Sequence, residues 1–231
     1  MRKIDKSPNV PATLVEAPVP TSAAEVRENI YKADDVRQQL EDDQHYKCAY
    51  CECYLPLQYH DVEHYRPKSR YYWLGHEWTN LLYSCERCNR SYKKDQFPLA
   101  TGSVQATSPT DDLDLEHPLI VNPVNDDPAR HIKFERYVAK GITPEGKKTI
   151  EVFHLNDWHE CRELIENRKQ LYELYELERK NIKIAELILR KPDIPQDIRS
   201  LVSQMIALSN ESIKELKSPQ KPFSGMLVAQ I

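Results

Sequence analysis

The sequence predicts an α+β fold in which a small unit held together by cysteines is surrounded by helices and a small β segment. Three observations predict this arrangement. Two Cys-x-x-Cys pairs, Cys48 with Cys51 and Cys85 with Cys88, are separated by 33 residues. Apolar residues recur at helical spacing towards both ends of the chain, and strand-like segments lie between them. With 40% hydrophobic residues, the 231-residue chain is long enough to bury a core.

The chain divides into four predicted segments. We expect an extended segment and a helix over residues 1–45, and the cysteine-containing unit over 46–99. A loop and a small β segment follow over 100–156, and a helical region occupies 157–231. The last eleven residues, 221–231, are predicted to dock on the protein's own body or on another subunit.

The N-terminal segment is expected to begin as extended chain, because four of its first 20 residues are proline. Ser22 and Glu25 then have the spacing of a capping box. Apolar residues follow at intervals of three and four, which predicts one amphipathic helix over about residues 23–42.

Three strands are predicted in the third segment. They are Leu119–Val121, a stretch within residues 131–141 and a stretch within 147–155, with a turn near Pro144–Gly146.

Two long helices are predicted after these strands. Asp157 and Glu160 indicate the start of the first helix. Pro192 and Pro195 end it, and Pro195 in a first helical turn would begin the second helix, which ends before Pro219.

The two cysteine pairs predict a structural zinc site. Each pair can present two thiolates from one tight turn, and four thiolates complete the tetrahedral set that Zn²⁺ prefers. A redox Cys-x-x-Cys would begin a helix in a βαβ pattern, which is missing around Cys48. Because four cysteines leave no coordination position for water, this zinc is expected to hold the fold and not to catalyse. Cys53 and Cys161 are expected to be buried or free thiols.

Between and after the cysteines lies a pattern that resembles the HNH endonucleases. It consists of a carboxylate followed by histidine, a proline three residues on, an Asn-Leu pair and a Cys-x-x-Cys-Asn run with trailing lysines. These residues are Glu63-His64, Pro67, Asn80-Leu81 and Cys85-Glu-Arg-Cys88-Asn89. The resemblance implies a ββα-metal core that hydrolyses phosphodiester bonds.

The resemblance also implies a role for each residue. His64, at the end of the first strand, would be the general base, because an imidazole can accept a proton from water near neutral pH. Glu63 and Asn89 would hold a catalytic Mg²⁺ or Mn²⁺, and Asn80 would hold the ββα turn and orient His64. The carboxylate is commonly Asp in this superfamily; Glu63 is one methylene longer, and Asp61 could take part.

A local excess of positive charge surrounds this pattern. Residues 64–94 carry seven Arg or Lys against two Glu, although the chain has a net charge of −4. A local basic patch can hold a phosphate backbone, because screening limits the field that a ligand feels to about 10 Å. The candidates for contacts with nucleic acid are Arg66, Lys68, Arg90, Lys93 and Lys94, with Arg87 nearby. The alternative is a scatter of solvated surface charges.

A closer resemblance covers about residues 1–170. The segments KCAYCE, VEHYRPKS, NLLYSCERCN and VNPVNDDPARHIKF are similar to those of PtuB-type HNH nucleases from Septu and retron anti-phage systems. The resemblance implies a PtuA-type ABC ATPase as partner and regulator. In the retron setting it further implies a reverse transcriptase and its multicopy single-stranded DNA. The sequence itself contains no P-loop.

Two function classes therefore remain open. One is a regulated nuclease that cuts DNA or RNA; the other is a zinc-containing module that binds nucleic acid or protein without catalysis. A stand-alone restriction or homing enzyme ranks lower, because no second DNA-reading module is evident. The sequence shows neither a long apolar run nor a signal peptide, so a cytoplasmic protein without a membrane partner is expected.

Overall fold

A computed structural model of the chain describes residues 1–55 and 60–231. Its helices are α1 (Ala12–Val15), α2 (Glu28–Tyr31), α3 (Asp34–Asp43), α4 (Pro144–Val152), α5 (Trp158–Leu189), α6 (Gln196–Leu216) and α7 (Ser224–Val228). Its strands are β1 (His60–His64), β2 (Leu81–Cys85), β3 (Ile132–Glu135) and β4 (Val138–Gly141). A π-helix spans Arg87–Lys93. Among these residues, no helix has both the length and the apolar character needed to cross a bilayer.

The cysteine-containing unit is a ββα arrangement. Strands β1 and β2 pair antiparallel, with His60 opposite Cys85 and His64 opposite Leu81. The π-helix follows β2 almost directly, and a bond from the Lys94 amide to the Asn89 carbonyl (2.8 Å) closes its last turn. Both predicted positions are confirmed: His64 ends the first strand, and Asn89 lies on the helix that follows the second strand.

The prediction of a single helix over residues 23–42 is wrong. The chain instead forms a 3-10 turn at Ala23–Glu25 and the two helices α2 and α3. Arg27 and Ala33 have extended backbone angles, which interrupt the helical bonds. The Glu25 carboxylate accepts bonds from the amide and hydroxyl of Thr21 (2.8 and 3.0 Å), so it does not complete a capping box with Ser22.

The third segment confirms one β prediction and contradicts two. Residues 131–141 form the antiparallel hairpin of β3 and β4. The stretch predicted as a strand at 147–155 lies mostly in helix α4, which the Thr143 hydroxyl caps by accepting a bond from the Gly146 amide (3.2 Å). Pro144 occupies the first turn of α4, where proline is well tolerated, so the predicted turn is a helix start. Leu119–Val121 is irregular chain and not a strand, and the side chains of Ile120 and Val121 pack in the core.

The C-terminal helices follow the prediction closely. The Asp157 carboxylate accepts bonds from the amides of His159 and Glu160 and so caps α5 (2.9 and 3.2 Å). α5 ends before Pro192 and Pro195. Pro195 is the N-cap of α6, one position before the first helical turn in which it was predicted. The two helices pack as an antiparallel hairpin, in which the Ser212 hydroxyl donates to the Glu178 carboxylate (3.1 Å).

The C-terminal tail docks on the protein's own body. Helix α7 packs against β3, and the chain after it runs beside that strand. The Phe134 amide donates to the Ala229 carbonyl (2.8 Å), and the Ile231 amide donates to the Phe134 carbonyl (3.0 Å). This satisfies backbone groups of an otherwise exposed edge of the β3–β4 hairpin.

Candidate active site and cysteine cluster

Four cysteines converge at one end of the ββα unit. Cys48 and Cys51 lie on a tight turn before β1, Cys85 is the last residue of β2, and Cys88 lies in the first turn of the π-helix. Their sulfur atoms all lie within 4.8 Å of one another. The turn is attached to β2 by a bond from the Ala49 amide to the Tyr83 carbonyl (2.9 Å).

The donor set fits a structural Zn²⁺ ion. Four sulfur ligands, three buried and one half-buried, can surround one ion tetrahedrally and leave no position for a substrate. Burial by itself raises the pKa of Cys48, but hydrogen bonds among the thiols move their pKa values apart: they hold the pKa of Cys48 well below its usual value and raise the pKa values of Cys51 and Cys88 well above it.

A fifth cysteine borders the cluster, which the sequence analysis did not predict. The Cys53 sulfur lies 3.1 Å from the Cys51 sulfur. Cys161 lies elsewhere, with its sulfur 3.3 Å from the Tyr92 hydroxyl.

The π-helix is attached to β1 by two ion pairs. Asp61 and Glu63 are two residues apart on a strand and therefore point to the same face. The Arg90 guanidinium contacts both oxygens of Asp61 (2.7 and 2.6 Å), and the Lys93 ammonium contacts the Glu63 carboxylate (2.6 Å). Because Arg90 and Lys93 are three residues apart on the helix, their spacing matches that of the two carboxylates.

The prediction that Lys93 contacts phosphate is wrong in this structure. Its side chain is fully buried, and its ammonium also donates to the His64 carbonyl (2.8 Å). A buried ammonium needs partners that replace water, and the strand supplies both of them. Among the other basic candidates, Arg66 pairs with Glu116 (2.9 Å) and Lys68 donates to the Tyr31 hydroxyl (2.7 Å), whereas Lys94 is exposed.

Glu63 lies in an enclosed environment. Its side chain is 3% exposed and accepts a long bond from the Tyr50 hydroxyl (3.4 Å). Burial raises the pKa of Glu63, and the positive charge of Lys93 opposes this rise. The carboxylate therefore depends on its cation to remain charged.

The His64 ring lies in a separate pocket. Its Nε2 atom is 2.9 Å from the Gly75 carbonyl oxygen, and the Tyr31 ring packs against it edge-on at 4.7 Å between centroids. Because a carbonyl can only accept, we assign the proton to Nε2 and the lone pair to Nδ1. Burial lowers the pKa of His64 to about 3, so the ring is neutral at pH 7.

Asn80 fixes the connection between the two strands. Its side-chain oxygen accepts from the Arg66 amide (2.7 Å), and its amide group donates to the carbonyls of Arg66 and Leu74 (both 3.1 Å). These bonds hold the chain that leaves His64 against the chain that carries Gly75.

The predicted catalytic residues are brought only partly together. Glu63 lies against the π-helix that carries the half-buried Asn89. Glu63 and His64 are neighbours on β1, so their side chains leave the strand on opposite faces and contact different residues. The expectation that both face one cation is therefore not met in this conformation.

Two nearby histidines have structural partners. His60 pairs with Glu41 (3.0 Å), and buried His76 accepts a bond from the Arg27 amide (3.2 Å). The sequence analysis missed a buried carboxylate, Glu116, which accepts bonds from Arg66 and Tyr71. It lies within the predicted loop, 50 residues from Arg66 in the chain, and gave no sequence signal.

The fold and the cysteine cluster define the class of this protein. Residues 48–95 match the family described as HNH endonuclease, a span that covers both cysteine pairs, both strands and the π-helix. The chain thus contains the domain of a nuclease that hydrolyses phosphodiester bonds.

Two curated relatives define the family. The chain is 32% identical over 221 residues to Septu protein PtuB of Bacillus mycoides (strain KBAB4), covering 85% of the chain and 73% of the relative. It is 34% identical over 155 residues to Septu protein PtuB of Bacillus thuringiensis, covering 65% of the chain and 53% of that relative. The chain belongs to the PtuB family, which confirms the resemblance found in the sequence.

Proposed function

We propose that this protein is a metal-dependent HNH endonuclease that serves as the nuclease effector of a Septu-type anti-phage system. The match of the ββα unit to HNH endonucleases, with His64 at the end of the first strand, carries the proposal. The names of the relatives support the defence role, and the resemblance to PtuB-type nucleases implies a PtuA-type ABC ATPase as partner.

His64 is proposed as the general base. The bond from Nε2 to the Gly75 carbonyl fixes the tautomer, so the Nδ1 lone pair can accept a proton from water once the ring is uncovered. Asn80 acts as a positioning residue, because it holds the two chain segments that carry the ring and the carbonyl.

Glu63 and Asn89 are proposed to hold a Mg²⁺ or Mn²⁺ ion. Both offer oxygen ligands, which these ions prefer, and the Lys93 ammonium already occupies a position between the Glu63 carboxylate and the His64 carbonyl oxygen. The same surroundings therefore accept a positive charge. When bound, a divalent ion would stabilise the negative charge that develops on the phosphate and on the leaving oxygen. The four-cysteine cluster is proposed to hold structural Zn²⁺.

The conformation described here is proposed to be the inactive one. Lys93 neutralises Glu63, the Tyr31 ring packs against His64, and the His64 side chain is only 6% exposed. Activation then requires a rearrangement that separates these contacts and brings the His64 ring to the face of β1 on which Glu63 lies. Such a requirement fits a nuclease that a partner ATPase controls.

The substrate class is proposed to be nucleic acid, with phosphate contacts from Arg66, Lys68, Arg90 and Lys94. Arg90 is 58% exposed although it pairs with Asp61, and Lys94 is exposed at the end of the π-helix. Such contacts supply affinity without base specificity, so they are compatible with DNA and with RNA.

The experiment is a cleavage assay on the chain co-purified with its ATPase. Supercoiled plasmid and folded RNA are incubated with Mg²⁺, with Mn²⁺ and with no added metal. We expect cleavage of at least one substrate only when Mg²⁺ or Mn²⁺ is present, at constant zinc content. If neither substrate is cut under any of these conditions while nucleic acid is still bound, the non-catalytic zinc module is the correct interpretation.

A further inference from the structure

The hairpin of α5 and α6 exposes an apolar face, one member of which, Leu174, also borders the cavity beside the cysteine cluster. Eight large aliphatic or Met side chains of these two helices are between 42% and 69% exposed. We name them the outer face: Leu174, Leu177, Ile184 and Leu187 on α5, and Ile198, Leu201, Met205 and Leu208 on α6.

The outer face has a regular helical period. On α6 its members follow at intervals of three, four and three residues, which places them in one stripe along the helix. On α5, Leu174, Leu177 and Ile184 share one stripe, and Leu187 flanks it. Scattered surface leucines would not repeat in this way on two consecutive helices.

Both stripes lie on the same side of the hairpin. On α5, exposed Leu174 and Ile184 directly precede buried Tyr175 and Ala185. On α6, exposed Leu201 and Leu208 directly precede buried Val202 and Ser209. One residue back along an α-helix is a rotation of about 100°. Because α5 and α6 are antiparallel and pack on each other, one residue back from the buried side leads to the same side of the hairpin on both helices. Both stripes therefore lie on that side.

The charges beside the α5 stripe form two blocks of opposite sign. Glu173 and Glu176 flank its first half, with Glu176 also paired to Arg179 of the same helix (2.7 Å), and Lys180 and Lys183 flank its second half. In an antiparallel pairing of two α5 helices, the acidic half of each would lie against the basic half of the other. A parallel pairing would place like charges together, which is unfavourable. The stripe is therefore complementary to itself under a two-fold rotation.

We propose that the outer face is a dimer interface, on which a second copy of this chain packs its own α5–α6 hairpin to form an antiparallel four-helix bundle. Eight half-exposed side chains of this size offer roughly 100 Å² each, or about 800 Å² per copy, which is the area of a standard stable interface. The dimer would hold two nuclease domains at opposite ends of one bundle.

The test measures oligomeric state by analytical ultracentrifugation of the full chain. We expect the wild type to be a dimer at about 10 µM, and Leu177→Glu/Leu201→Glu to weaken dimerisation at least ~100-fold. The matched control is Val104→Glu/Leu115→Glu, which changes two exposed aliphatic residues outside the hairpin and should remain dimeric.

A charge exchange tests the proposal without altering the apolar residues. Lys180→Glu/Lys183→Glu should weaken dimerisation about 10-fold, and adding Glu173→Lys/Glu176→Lys in the same chain should restore it. Failure of the fourfold variant to recover would overturn the antiparallel pairing. A wild type that remains monomeric up to about 100 µM would overturn the dimer, and loss of ATPase binding in the Leu177/Leu201 variant of such a monomer would assign the face to the ATPase.

Discussion

The ion pair between Lys93 and Glu63 provides the most specific prediction from this structure. Its ammonium and carboxylate lie 2.6 Å apart, at 0% and 3% side-chain exposure. Lys93→Met would leave the Glu63 carboxylate buried without its cation. Removing one partner of a buried pair costs about 3–5 kcal/mol, so we expect the free energy of unfolding to fall by that amount at pH 7.5.

The double variant Lys93→Met/Glu63→Gln provides the matched control. With both charges removed and similar volumes retained, we expect stability within about 1–2 kcal/mol of the wild type. The assay is equilibrium urea denaturation followed by circular dichroism, with zinc present throughout.

The loss of stability in Lys93→Met should also depend on pH. Because burial raises the pKa of Glu63 above its unfolded value, the folded state binds the proton more readily once Lys93 is removed. The loss of stability should therefore shrink as the pH falls towards 5. A loss below about 1 kcal/mol, or a double variant as unstable as the single one, would refute the pairing of β1 with the π-helix.

Three further predictions concern the cysteine cluster, the strand connection and a partly buried lysine. Cys85→Ser should lose bound zinc and unfold the ββα unit, whereas Cys161→Ser should keep its zinc content; zinc analysis and thermal melts would detect the difference. Asn80→Ala should cost about 2–3 kcal/mol in urea denaturation, because three bonds to backbone groups are lost, and an unchanged midpoint would contradict this. Burial lowers the pKa of Lys6 to about 7, below that of the unfolded chain, so the unfolded state binds more protons above pH 7 and stability should rise from pH 7 to 9. Because Lys6 is only partly buried, we expect about 1 kcal/mol per pH unit, absent in Lys6→Met; equal slopes in the two proteins would contradict the lowered pKa of Lys6.

Local chemistry made much of the fold predictable. The cysteine pairs, the Asp157 cap and the prolines after α5 each act within a few residues, so the sequence shows them directly. The same holds for the order strand, strand, helix around His64. These features need no knowledge of what packs against them.

Other features depend on contacts between distant residues. The lysines after Cys88 look like surface charges in the sequence, yet Lys93 is buried because Glu63 lies opposite it on β1. The predicted strand at 147–155 contains β-branched residues, but the Thr143 cap and Pro144 favour a helix start. The opposite orientation of Glu63 and His64 follows from the pleat of a strand, and the sequence pattern alone could have predicted it.

Cleavage by a His64→Gln variant tests most directly the claim that His64 is the general base of a nuclease. Glutamine keeps most of the buried volume and can donate to the Gly75 carbonyl, so the fold should be retained with an unchanged melting temperature. In the presence of the proposed ATPase partner and Mg²⁺, we expect the variant to cut nucleic acid about 10²–10⁴-fold more slowly than the wild type, because it has no imidazole to accept the proton from water. A variant that is folded and cuts at the wild-type rate would show that His64 is not the general base.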